Sequence, residues 1–178
     1  MLKKILIGLA VVAVILFIAF QVLKSKTKSS SPEVKQTYSV GASKIDVFYC
    51  SPSKKGREIF GGIIKYDEVW RTGANEPTTF TTDKNLVIDG KKLPAGKYSL
   101  WTIPQKDSWT VIFNNEIPYW GDGTDGKAAR NDKTDLLQVV APVEKLTTSQ
   151  EKLSIDAQNN ALNIIWDMTK VSVPIVVE

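Results

Sequence analysis

Two patterns of apolar and polar positions divide the chain. Ile5 to Leu23 is one uncharged run, apolar all round, with Lys3 and Lys4 before it and Lys24, Lys26 and Lys28 after it. Beyond Tyr38 the apolar residues recur at every second position instead. They are Ile45, Val47 and Tyr49; Trp109, Val111 and Phe113; Leu162, Ile164 and Trp166; and Val171, Val173, Ile175 and Val177. A period of two sends successive side chains to opposite faces, so each run reads as a half-buried β-strand. "DLLQVVAPV" predicts another, and "NLVIDGKKLPAGKYSLWTIP" predicts two, punctuated by Asp89-Gly90 and Pro94-Ala95-Gly96 as turns with a left-handed glycine. Asn160 falls in the turn before Leu162. Pro174 cannot donate a ladder hydrogen bond, which places the last strand at an edge or paired on one side. "GGIIKYDEVW" holds at most one helical turn, and there is no internal repeat. Many short strands at near-regular spacing predict an antiparallel β-sandwich over residues 38–178, with a barrel as the alternative.

The N-terminal run has a different use. Its length is close to the roughly 20 residues that cross about 30 Å of hydrocarbon as a helix. It is longer than the apolar core of a cleaved signal peptide, and "FIAFQVLKSK" offers no small-residue cleavage site. Residues 1–28 therefore read as an uncleaved anchor that partners the lipid bilayer through residues 5–23. Residues 29–37 ("SSSPEVKQT" in the sequence) read as a short polar tether. Lysines on both flanks nearly balance the positive-inside comparison. The expected arrangement has the N-terminus inside and the domain outside the cytoplasm, on the periplasmic side.

Charge and composition narrow the chemistry. The chain carries 23 basic and 19 acidic residues, net +4. Five of the lysines lie in residues 1–28, which leaves 18 basic against 19 acidic residues in 29–178, net −1. The globular part thus has no electrostatic reason to seek nucleic acid. There is no histidine. That removes the commonest general base, the usual metal ligand and every Ser-His or Cys-His nucleophile. The one cysteine, Cys50, has no internal disulfide partner and reads as a small apolar residue at a strand end. No cofactor and no metal are expected.

Two motifs matching letters fail on context. "GDGTDG" (Gly121–Gly126) fits the dinucleotide fingerprint only by spacing, because no buried strand precedes it and no helix follows. Asp122, Asp125, Asp132 and Asp135 could supply oxygens to calcium, yet their spacing fits no EF-hand and suits loop turns equally. Of the five tryptophans, Trp109 and Trp166 are in phase with aliphatic neighbours and belong to the core. Trp70 and Trp120 border polar loops and are placed at a cleft.

The stretch "VWRTGANEPTTFTT" (Val69–Thr82) carries the candidate site. One account makes it a corner: Arg71 bridges Glu76, and Asn75 caps a turn in which Gly73 and Asn75 take positive φ. The other makes it a binding site: Arg71 holds an anion or carbonyl, Asn75 makes a bidentate amide contact and Glu76 acts as base or acceptor. Trp70, Arg71, Asn75, Glu76 and Trp120 are the ligand-binding candidates.

The run from Ser51 to Asn114, "SPSKKGREIFGGIIKYDEVWRTGANEPTTFTTDKNLVIDGKKLPAGKYSLWTIPQKDSWTVIFN", followed by Trp120-Gly121, resembles the bacterial domain-of-unknown-function family 2911. The resemblance covers about residues 40–143, with Lys55-Gly56-Arg57 through Asn75 as the most characteristic part. It implies an exported or membrane-tethered β-rich protein and brings no catalytic residues. "DGTDGKAARNDKTD", after the Trp-Gly pair, departs from the family's pattern, which leaves the role of that loop open.

Three functions compete at this point. A tethered β-domain could bind a glycan or peptide of the envelope without chemistry. A hydrolase could use Glu76 with Asp67 or Asp122, given two carboxyl groups roughly 5–9.5 Å apart. A purely structural tether domain needs no cleft near Trp70. The oligomeric state is not written in the pattern.

Overall fold

The computed structural model describes residues 2–178. They form two units, divided between Ser30 and Ser31. The first is a single helix, α1 (Leu2–Ser30), with its large apolar side chains exposed from Ile5 to Val22. It is long and apolar enough to cross a membrane, and near the N-terminus that fits either an anchor or a signal sequence.

The second unit is an antiparallel, sandwich-like all-β domain. Its strands are β1 (Glu33–Val40), β2 (Ser43–Cys50), β3 (Thr78–Thr82), β4 (Leu86–Ile88), β5 (Lys91–Leu93), β6 (Gly96–Pro104), β7 (Ser108–Asn114), β8 (Asp135–Gln158) and β9 (Ala161–Val177). The sheet order is β1-β2-β3-β6-β7-β8-β9-β4-β5, open at β1 and β5 rather than closed into a barrel. The first part of β8 completes one layer beside β7, and its last part pairs with β9 in the other. Ile45, Val47, Phe80, Val111 and Phe113 of the first layer meet Leu86, Ile88, Ile155, Leu162 and Ile164 of the second in one buried core. Most of 29–37, read as a tether, is strand in the structure. β1 starts at Glu33 and pairs with β2 from Glu33↔Cys50 to Val40↔Ser43. Its polar sequence fits an edge strand, which needs few buried side chains.

Turn chemistry follows the sequence in part. Asp89 (φ 49°) and Gly90 (φ 71°) join β4 to β5, and Asn159 (φ 53°) and Asn160 (φ 55°) join β8 to β9, both as two-residue hairpin turns with positive φ. Gly96 takes no such φ; a Cβ there would meet the Tyr98 hydroxyl oxygen at 2.9 Å, so space is what excludes a side chain. "NLVIDGKKLPAGKYSLWTIP" makes three strands rather than two. The two C-terminal alternations are one strand, β9. A bulge at Asp167 (φ 54°) switches the inward set from Leu162, Ile164 and Trp166 to Val171, Val173 and Ile175. The ladder with β8 ends at Val171 and that with β4 begins at Ile175, so Pro174 lies between them and breaks neither.

Candidate functional site

The signature segment lies where β6 outruns its neighbour. β3 begins at Thr78↔Leu100, and beyond that point one side of β6 would be unpaired. Trp70 takes the vacancy: its amide donates to the Thr102 carbonyl at 2.7 Å, and its carbonyl accepts the return bond from the Thr102 amide at 2.9 Å. The Asp67 amide extends this by donating to the Pro104 carbonyl. Pairing of this kind turns the Trp70 ring inward. The ring stacks with Trp166 (centroids 6.0 Å, 21°) and meets Phe60 and Trp109 edge-on, and its Nε1 donates to the Gly73 carbonyl at 3.0 Å. Trp70 is therefore a buried member of the aromatic core that reaches the cleft only at its margin.

Residues 71–76 then form a tight polar corner. Positive φ falls on Thr72 (55°) and Asn75 (60°), while Gly73 takes none. Gly73 is required for another reason: a Cβ would lie 3.2 Å from both the Cys50 carbonyl oxygen and Thr78 Oγ1. Thr72 is β-branched and wholly buried, a costly residue for the left-handed region. It is held there by the Thr78 hydroxyl donating to its carbonyl at 2.7 Å and by its own hydroxyl donating to Thr102 Oγ1 at 3.2 Å. Asn75 is 6% exposed, and its side-chain nitrogen has no hydrogen-bond partner. It sits beside the Cys50 thiol, which itself approaches Glu76 Oε2 at 3.5 Å. Burial pushes the Cys50 thiol up, the Asn75 amide opposes that and the Glu76 charge adds to it.

This corner caps a small second core. Cys50, Trp101 and Ile112 are fully buried yet stand apart from the main cluster. Trp101 and Ile112 are direct partners on β6 and β7, on the face opposite Leu100 and Val111. Loop 115–134 covers that face. Trp101 Nε1 donates to Ser99 Oγ, Ser99 Oγ to the Glu116 carbonyl, and Asn114 Nδ2 to the Asn131 carbonyl.

Arg71 joins the two loops. Its Nη1 bonds Asp122, and its Nε is buried without a partner. Gly121 packs directly on it. The candidates thus separate. Arg71 lines an open cleft, Asn75 and Glu76 gather at Cys50, and Trp120 stands beside the exposed Tyr119 with ring centroids 6.5 Å apart. The predicted Arg71–Glu76 bridge is replaced by Arg71–Asp122. The cleft runs between residues 63–71 and 121–128. Its larger part, about 480 Å³, is lined by Glu68, Val69, Asp122, Lys127 and Ala128; an adjoining part of about 260 Å³ adds Ile63, Lys65 and Arg71. Glu68, Lys65 and Lys127 did not stand out in the sequence, since isolated loop charges carry no periodic signal.

Three of the four loop aspartates are individually engaged. Asp122 pairs with Arg71, Asp125 accepts the Lys127 amide, and Asp135 pairs with Arg130 and accepts from Asn114. Among the described residues no three metal-ligating side chains cluster.

A membrane-sized N-terminal helix followed by an antiparallel β-sandwich, with one polar corner and one charged cleft, defines the class. The chain belongs to a family of unknown function, DUF2911, whose profile matches residues 31–175. No curated protein and no solved structure matches it.

Proposed function

We propose that the chain is a membrane-tethered, extracytoplasmic domain that binds a glycan or peptide of the cell envelope in the cleft between residues 63–71 and 121–128, without chemistry of its own. The observation that carries this reading is Arg71. It lines the cleft, and its carboxylate partner Asp122 belongs to the other wall. A guanidinium offers five donors in a fixed fork, so a ligand carboxylate or carbonyl entering here finds hydrogen bonds waiting. Arg71 lines the part of about 260 Å³, which adjoins the part of about 480 Å³, a volume within the range of small-ligand sites. Binding is favoured over carboxylate hydrolysis because the three carboxylates that could serve have separate engagements. Asp67 accepts from Gln105, Asp122 from Arg71, and Glu76 from Cys50. The test is a screen of peptidoglycan fragments and envelope glycans against residues 31–178, repeated with Arg71→Ala and Asp122→Asn. A ligand whose affinity falls about tenfold or more in Arg71→Ala is expected. Binding that neither substitution alters would move the site elsewhere.

A further inference from the structure

A second recess lies on the outer face of the β1-β2-β3-β6 layer, remote in sequence from the cleft. Cross-strand partners set it out as two rows. Lys35, Phe48 and Thr79 form one; Thr37, Asp46, Thr81 and Lys97 form the next. These positions alternate with Val47 and Phe80, which point into the core, so both rows face outward. Lys35, Asp46, Phe48, Thr79, Thr81 and Lys97 line a groove of about 460 Å³. Three strand spacings, roughly 14 Å, separate the strands that carry the two lysines.

The groove's chemistry specifies an occupant. Lys35 and Lys97 are exposed and have no ion-pair partner among the described residues. Thr79 is only 6% exposed, yet its hydroxyl has no hydrogen-bond partner among the described residues. Asp46 accepts from Thr37 at 2.5 Å and keeps further lone pairs free. Phe48 is half-buried between them, with part of its ring open to the groove. We propose that this groove binds an acidic oligosaccharide. The C–H faces of a sugar ring cover Phe48, sugar hydroxyls bond Thr79, Thr81 and Asp46, and sugar carboxylates meet Lys35 and Lys97. An acidic peptide fits less well, because extended peptides dock by pairing with a sheet edge, and the backbone of β2 and β3 is already paired on both sides. A neutral glycan would leave both ammonium groups unused.

The test is calorimetric titration of the full chain in detergent with oligogalacturonate, and with the same oligomer methyl-esterified so that only its charge is removed. The acid form is expected to bind, more weakly as salt rises, while the ester binds at least tenfold more weakly. Lys35→Ser and Lys97→Ser should each cost about tenfold. Phe48→Leu, which keeps an apolar side chain without an aromatic face, should also weaken binding, and Arg71→Ala should leave it unchanged. Equal affinity for the two oligomers, no binding of either, or an unaltered Lys35→Ser/Lys97→Ser double variant would overturn the proposal. Loss of binding in Arg71→Ala alone would place this ligand in the cleft instead.

Discussion

The amide of Gly121 donates to the carbonyl of Asn75 at 2.8 Å, and through that bond the second loop is seated on the signature corner. No side chain fits between them. A Cβ at residue 121 would stand 2.0 Å from Arg71 Cδ and 2.8 Å from the Asn75 oxygen. Gly121→Ala is therefore expected to cost about 3 kcal/mol in denaturant unfolding. Gly56→Ala is the comparison: φ is 70°, but nothing lies within 4 Å of the added carbon. It should cost only about 1 kcal/mol. Equal losses would mean that the two loops are not locked together.

Within the corner, thermal melts should rank three substitutions. Arg71→Ala removes a partly exposed ion pair and should cost about 1 kcal/mol. Asn75→Ala places an alanine at φ 60° and should cost a further 1 kcal/mol or so beyond Asn75→Gly, which relaxes the backbone at the same position. An Asn75→Gly variant no more stable than Asn75→Ala would show that the left-handed backbone carries no cost at that position.

Tyr38 sets an alkaline limit. Burial, helped by the nearby Tyr49 and Asp156, pushes its hydroxyl up to about 12 from 10.0. The unfolded chain then loses this proton first, so stability is intact below pH 10 and falls as pH rises from 10 towards 12. Melting temperature followed across that window should drop more steeply in the natural chain than in Tyr38→Phe.

Cys50 should be chemically silent. Its thiol is wholly buried and shifted upward by that burial. Reaction with a disulfide reagent at neutral pH should wait on opening of the domain and speed up in Gly121→Ala. Rapid stoichiometric labelling of the native protein would show that the corner over Cys50 is open.

The helix predicts fractionation behaviour. If α1 is retained as an anchor, the full-length chain stays in membranes through an alkaline carbonate wash. A soluble species starting near residue 25 would identify α1 as a signal sequence removed on export.

Much of the fold was legible because burial leaves a period-two trace. Ile45, Val47 and Tyr49 on β2 and Trp109, Val111 and Phe113 on β7 are inward residues, as their spacing required. β3 was hidden, since Thr78 and Thr82 satisfy polar side chains inside the fold and leave Phe80 as its lone apolar mark. The middle of β8 was hidden too. From Glu144 to Lys152 both faces are largely exposed, so no alternation exists to be read. At the site, the Val69–Thr82 stretch announced a polar corner, but Asp122 as the partner of Arg71 could not be found from spacing. That pairing depends on how a loop folds back across the sheet, which local sequence does not encode.

Strand β8 is common property of the two layers, paired with β7 at Val139 and with β9 at Ile155 along one continuous backbone. Where its ladder with β9 is interrupted, the segment after β2 steps in: the Leu153 amide donates to the Pro52 carbonyl and the Lys54 amide to the Glu151 carbonyl. The sandwich consequently has no seam. Neither layer can melt while the other keeps its register, so calorimetry of residues 31–178 should give one cooperative transition. A single proteolytic nick near Ser149 would sever the shared strand and weaken both layers together.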